Sequence, residues 1–443
     1  MVKNRSKMIA ILLFAAAAAI TGCGSEGNKE AKPEAVTPPA AAPAAAVSTE
    51  PVTLKVLMPR WAFTDDEFKT FVVESVKKKH PNITLELSIA EININKLQEI
   101  VTQGIYPDII ITSSNIMAPL QSMGFESNME PLLKANGFDT SKLQSGALQA
   151  VKTSSTSGQY IPTLPYTQNF SALYYNKDLF NKFGVAFPKD GLSWDEVTEI
   201  AKKLTRTDNG AAFYGLHPGK PTRTGSLLSL DIVDPKTSRA AVNNDGWKKN
   251  FEMQKAIFSI PGNAFVPESK AYDLFFKDKS LAMLASNNLI SRINQAPDLN
   301  WDMVSYPFFK EKPNVSLNYD LHVMAVTPES KNRNAAFQVI STIVSDEVQL
   351  EMSKKGRVSV LQNQSVRDEF GKELASFKGK NISAIFKSTP APAGQTSQFN
   401  SLVSEPVINT SLTKAILEQG VDINTALRQA EEQINKTVDQ NKK

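Results

Sequence analysis

The chain has 443 residues, a formal charge of +4, one cysteine and three histidines, and removing residues 1–22 takes away Lys3, Arg5 and Lys7 to leave +1. So even a balance offers no electrostatic footprint for nucleic acid or an anionic membrane surface. A lone cysteine excludes a disulfide framework and a cysteine-liganded metal site in the folded part, and the stretch from residue 52 onward exceeds the roughly 250–300 residues at which one core stops growing, so two lobes are expected.

The amino terminus reads as an export signal. Lys3, Arg5 and Lys7 precede an apolar run over 8–20, which is well short of the roughly 20 residues a transmembrane helix needs. The four residues Ile20-Thr21-Gly22-Cys23 resemble the bacterial lipobox, which implies cleavage after residue 22 and lipidation of Cys23. Two or more acyl chains, palmitate among them, would make a stable membrane anchor. Residues 24–51 are Ala, Pro, Glu, Lys, Ser and Thr with almost no large apolar side chain, too little to offset the entropy of ordering. Together, 23–51 is expected to be a lipidated, disordered tether reaching roughly 30 Å as a coil and roughly 85 Å if polyproline-like.

From residue 52 strand and helix alternate. A strand over 52–58 is followed by Thr64-Asp65-Asp66-Glu67, a capping box, and by Phe68, Phe71, Val72 and Val76 on one helical face. Ile83, Leu85, Leu87 and Ile89 alternate with polar residues as in a strand with one less buried face, a helix over 95–103 ends at Gly104, and 108–112 is a short buried strand. That order implies a parallel, doubly wound sheet, whose ligands sit beyond the carboxyl ends of the strands, near Trp61 and near Ser113, Ser114 and Asn115. Pro162 and Pro165 then favour extended backbone. A short helix over 176–183 closes at Gly184, and Ser193-Trp194-Asp195-Glu196 is a second capping box.

The run SALYYNKDLFNKFGV, followed by SWDEVTEIAKKL, resembles the extracellular solute-binding proteins, family 1, that serve sugar ABC importers, the maltose-binding protein among them. AVTPESKNRNAAFQVISTIVSDEVQLEMSKKGRVSVL is similar to the family's return segment. The resemblance implies a two-lobed α/β, periplasmic-binding-protein-like fold (type II), each lobe a mostly parallel sheet flanked by helices and joined by hinge crossings. It divides the body into an N-terminal lobe of 52–166 and 322–361 and a C-terminal lobe of 167–321 and 362–443, the last helices (410–418 and 422–439) in the second. The segments 275–279, 281–285 and 301–307 resemble the family pattern of a strand carrying Ala-Met and a loop entering the cleft, and 321–326 reads as a strand returning to the first lobe.

Catalytic chemistry has little support. His80, His217 and His322 show no metal-ligand spacing, and neither a phosphate-cradling glycine loop nor a nucleophile elbow is visible. The candidate ligand contacts are Trp61, which could offer a ring to a sugar or pack under its own loop; Ser114 and Asn115, which could bind solute or cap a helix; and Tyr166, Gln168 and Asn169 beside the first crossing. Asn169 falls where the family has an acidic sugar contact. Asn287 and Asn288 stand where many members carry a stacking tryptophan, and Phe399 where another aromatic is often found, so a smaller or more polar solute than a malto-oligosaccharide is expected. For His217, Arg223, Tyr319 and Asp320 structural roles are favoured. The expected protein is a monomeric, lipid-anchored receptor at the outer face of the membrane, extracellular or periplasmic, with a sugar as solute, an importer's permease as partner and no cofactor, metal or nucleic acid. The alternatives are a surface glycan hydrolase and a structural wall lipoprotein without a small ligand.

Overall fold

The computed structural model describes residues 50–155, 158–418 and 420–442. The export signal, Cys23 and the tether as far as residue 49 lie outside the described residues. In chain order the strands are β1 (Val52–Met58), β2 (Ile83–Ile89), β3 (Ile109–Ser113), β4 (Leu164–Gln168), β5 (Ser171–Asn176), β6 (Arg206–Asp208), β7 (Ala211–His217), β8 (Leu281–Asn287), β9 (Trp301–Ser305), β10 (Val315–Ser316), β11 (Leu321–Val326) and β12 (Thr389–Pro390). They form one five-stranded sheet in the order β2-β1-β3-β11-β4, a second in the order β6-β7-β8-β5-β9, and the small pair β10-β12.

Both large sheets are mixed, where the sequence pattern implies mostly parallel ones. In the first, β1 runs parallel to β2 and β3, but β11 is antiparallel to both β3 and β4. In the second only β7 and β8 are parallel. The reason is the crossing chain. His322, near the start of β11, pairs with Ser113 at the end of β3, so a strand arriving from the other sheet enters at the edge where β3 stops and must run against it. Ser171, the first residue of β5, likewise pairs with Asn287, the last of β8.

Local signals explain most helices. Thr64 caps through a complete capping box, and Phe68, Phe71, Val72 and Val76 are all buried. The helix between them is not uniform, because Phe68–Glu74 is π-helical. The Glu67 carboxylate of that box also receives Nε and Nη2 of Arg357 at 2.8 and 2.7 Å. Burial alone would raise its pKa, yet Arg357 and Thr64 hold it below the usual carboxylate range. The helix Lys177–Phe183 is capped by Asn176 and stopped by Gly184 in the left-handed conformation, and Trp194–Leu204 starts with the second complete capping box at Ser193. The helix expected over 410–418 instead runs Asn400–Leu417 with Pro406 inside it. Proline removes one donor there without ending the helix.

The first sheet has one continuous core, from Leu54 and Phe71 to Phe337 and Ile340. The second is covered on its two faces by separate clusters, one around Phe275 and Trp301 and one around Trp194 and Tyr306. The last helices, Asn400–Leu417 and Ile423–Asn441, pack with Trp247 and Phe251 of Asp245–Phe258.

Strand β7 and the helix Trp194–Leu204 approach so closely that a methyl group on Gly215 would overlap the Ala201 carbonyl oxygen. Gly215→Ala is therefore expected to cost about 1–3 kcal/mol by overpacking. Urea unfolding of the variant would measure it, and a loss under about 0.5 kcal/mol would mean that helix and strand slide apart freely.

Candidate functional site

Three passes of chain meet between the sheets. The first is Asn169–Phe170, between β4 and β5, so β4 extends two residues beyond the lobe boundary expected at 166. The second, at 318–320, leads into β11. Their link is direct: Asn169 donates its backbone N–H to the Asp320 carbonyl at 2.8 Å and its Nδ2 to Asp320 Oδ2 at 3.0 Å. Asn115, just after β3, donates Nδ2 to the other carboxylate oxygen at 3.4 Å. The third pass is Val358, whose carbonyl accepts from the Gln168 N–H at 3.0 Å and the Thr167 hydroxyl at 2.9 Å.

Beside this junction lies a cavity of about 720 Å³, within the range of small-molecule pockets, roughly 300–1,000 Å³. Its wall brings together four of the expected contacts, Asn115, Gln168, Asn169 and Asn287. Each amide both donates and accepts, which suits hydroxyl groups. Phe170 and Phe386 add apolar faces. They are braced by Phe370, whose ring lies 5.7 Å from each in edge-on geometry. Six charged residues line the cavity: Lys220, Arg223, Asp231, Asp320, Arg367 and Glu405. Lys220 pairs with Glu405 at 2.6 Å, and Arg223 with Glu268 behind the wall. Asp231 has no side-chain partner among the described residues; burial, then the nearby Asp234, raise its pKa.

The other expected contacts are placed elsewhere. Trp61 is 44% exposed, lies tilted against His322 with ring centroids 4.8 Å apart, and is not part of the cavity wall. Tyr166 is fully buried, stacked on Phe63 at 4.9 Å, with its hydroxyl donating to the Ala62 carbonyl at 3.4 Å. Ser114 accepts the Leu321 N–H at 3.3 Å and so anchors β11. Asn288 caps the next turn, its Oδ1 accepting from the Ile290 N–H at 2.9 Å. Phe399 sits in the core beside Trp247 and Val403, while its neighbours Gln398 and Asn400 line the cavity. At Ser114, Asn288 and Phe399 an adjacent residue lines the cavity while the side chain itself is engaged elsewhere.

Phe170, Asp231, Arg367 and Phe386 were not singled out by sequence. Phe170 had a signal, following Asn169 directly in the crossing; the others lie outside the segments with recognisable pattern. Asp320 does position the junction, and Tyr319 packs over Gly146. His217 is buried with Nε2 at 3.1 Å from the Val266 carbonyl and Nδ1 accepting from the Gly219 N–H at 3.2 Å, which fixes a neutral tautomer. Burial lowers its pKa to about 4. His322, beside Asp320, is pushed the same way by burial. Among the described residues no cluster of His, Cys, Asp and Glu could hold a metal ion, and no helix is long and apolar enough to cross a membrane.

Comparison with known proteins agrees with this architecture. Residues 72–376 match the family model described as bacterial extracellular solute-binding protein, and the chain belongs to that family. A binding protein of Brucella abortus is 23% identical over 252 residues, 53% of this chain and 59% of that one. The mannitol-binding protein of Pseudomonas aeruginosa is 27% identical over 187 residues, 41% of each chain. The match thus spans between two fifths and three fifths of these curated relatives' length. A Listeria monocytogenes ABC substrate-binding protein, solved in complex with cycloalternan, superposes with a TM-score of 0.71 at 20% identity, covering 88% of this chain and 100% of that one. This chain therefore has the two-lobed fold of the periplasmic binding proteins.

His217 makes stability depend on pH. Below about 6.5 the unfolded chain takes up a proton that the folded chain refuses until about 4, so the contribution is complete above 6.5 and declines as pH falls to 4, by about 3 kcal/mol. His217→Gln keeps a donor and an acceptor but cannot titrate. Urea midpoints between pH 7 and 4 should fall less steeply for this variant than for the parent, and parallel slopes would show that His217 is not held neutral.

Proposed function

We propose that this chain is the receptor of an ABC importer and captures a carbohydrate in the cleft between its lobes, 52–166 with 322–361 and 167–321 with 362–443, the strand boundary falling at Gln168. The observation that carries this is the wall in which Asn115, Gln168, Asn169 and Asn287 surround a cavity backed by Phe170 and Phe386. Amides match the hydroxyl groups of a sugar and the rings match its apolar face. The named ligands of similar proteins, mannitol and cycloalternan, support a polyol or saccharide. Cys23, the lipobox-like sequence and the tether support anchoring through lipid at the outer face of the membrane. The receptor acts as a monomer and hands its solute to the permease of the importer. Receptor is favoured over hydrolase because Glu405 is bound to Lys220 and Asp320 to two amides, which leaves Asp231 as the only cavity carboxylate without a partner among the described residues.

Thermal-shift screening of the protein against mono-, di- and trisaccharides and polyols tests the proposal. A solute at 100 times its dissociation constant should add about 2.7 kcal/mol of stability. Release of reducing ends from such a saccharide would instead identify a hydrolase, and no shift with any of them would leave the wall lipoprotein.

With a solute in hand, Asn169→Ala should weaken binding by about 1–3 kcal/mol, since a polar group of the solute loses its partner in a desolvated site. Stability should fall less, because Asp320 keeps the donor from Asn115. Equal loss of stability with unchanged affinity would assign Asn169 to the junction alone.

Closure is expected on binding, through angle changes near 165–168 and 318–322 while each lobe moves as a rigid body. The radius of gyration from small-angle scattering should decrease at saturation. A value that stays constant would mean a preformed, rigid site.

A further inference from the structure

Among the described residues three cations stand at the cavity wall, and two of them are neutralised. Lys220 has Glu405 at 2.6 Å and Glu268 at 3.8 Å, and Arg223 has Glu268. Arg367 differs: among the described residues it forms no ion pair and no side-chain hydrogen bond. Its guanidinium lies 4.9 Å from the Phe386 ring centroid, and its Nε is buried without a partner. Arg367 is one of the residues lining the cavity. The side chain is held in place from below. Phe386 packs edge-on against Phe370, which packs edge-on against Phe170, and Arg367 itself stands on the short helix Gln364–Asp368 that follows the third pass of chain.

A guanidinium lying over an aromatic ring keeps the donors in its own plane free, and a carboxylate meets such a fork with two parallel hydrogen bonds. Resting on the carbohydrate reading above, we infer that the solute is an acidic sugar, a uronic acid or short uronate oligomer, whose ring lies along the Phe170 and Phe386 faces and whose carboxylate pairs with Arg367. The anion is a carboxylate and not a phosphate. One free guanidinium neutralises one negative charge, and a phosphate would bring close to a second one into a cavity that already holds Asp231 and Asp320. Asp231 and Asp320 then accept from the hydroxyl groups of the same solute, at positions where a second carboxylate would be repelled.

Titration calorimetry on the full chain, with galacturonate, glucuronate and their dimers against galactose, glucose and the matching neutral dimers, and with galactose 1-phosphate as the other anion, tests this. At least one acid should bind tenfold or more tighter than its neutral counterpart, with affinity falling as salt rises. Arg367→Gln should remove that preference while the neutral counterpart binds as before. Arg367→Lys, which keeps the charge without the fork, should retain part of it and covers the case in which the glutamine variant does not fold. Neutral sugars binding as tightly as acids, galactose 1-phosphate binding best, or an acid preference that survives in Arg367→Gln would each overturn the inference while leaving a carbohydrate receptor. Absence of binding by every acidic and neutral sugar would instead remove the carbohydrate reading, and this inference with it.

Discussion

One carboxylate organises the middle of this molecule. Asp320 accepts from Asn169 on one crossing and from Asn115 beyond β3, and its own carbonyl takes the Asn169 N–H at 2.8 Å. These contacts, the one from Asn169 at 3.0 Å and the longer, exposed one from Asn115 at 3.4 Å, join the crossings where the chain is otherwise thin. The charge stays useful because burial keeps the neighbouring His322 neutral against the pull of Asp320. A protonated histidine there would compete with the amides for the same oxygens. The cleft floor is thus built from a charge satisfied by neutral donors, which leaves its remaining lone-pair directions open to a solute.

The fold was legible wherever a local rule decides the backbone. Both capping boxes are present at Thr64 and Ser193, and Gly104 and Gly184 both stop their helices with positive φ. These signals act within four residues and do not depend on what packs against them. Strand direction was not legible in the same way. The alternation of strand and helix over 52–112 reports parallel pairing only for consecutive units, whereas β4, β5 and β11 reach their sheets from across the cleft. The Asn209-Gly210 turn between β6 and β7, with both residues at positive φ, is a hairpin signal that the sequence carries openly. The π-helical turn at Phe68–Glu74 has no such signature, since buried apolar residues serve either helix.

The segments that line the cavity were legible in position, and the directions of their side chains much less so. Asn287 lines the cavity while Asn288 turns its Oδ1 to the Ile290 N–H; Gln398 and Asn400 line it and Phe399 between them is core. Neighbouring side chains leave the backbone in different directions, in a strand end as in a helix start, so knowing that a segment passes the cleft leaves open which of its side chains enters. Tyr166 shows the energetic side of that choice. Its ring gains more from stacking on Phe63 in a closed core than from a cavity face, and its hydroxyl is satisfied by a backbone carbonyl. Arg367 and Phe386 escaped notice for a different reason. Each is unremarkable in its local sequence, and only the third pass of chain at Val358 brings them beside Phe170.

The balance between satisfied and open groups also says which parts of the wall can discriminate among solutes. Lys220, Glu405, Arg223 and Glu268 form a connected set of ion pairs, and a solute that displaced one of them would first have to break a contact the protein already makes. Those residues shape the cavity without selecting strongly for charge. Glu405 lies on the helix Asn400–Leu417, which packs with Trp247 and Phe251, so the same pairs fasten the last helices to the rim. Among the described residues, what is left open is the set of amides, which tolerate many arrangements of hydroxyl groups, and the side chains of Asp231 and Arg367, which have no ion-pair partner. In a desolvated cleft a misplaced charge costs more than a misplaced hydroxyl.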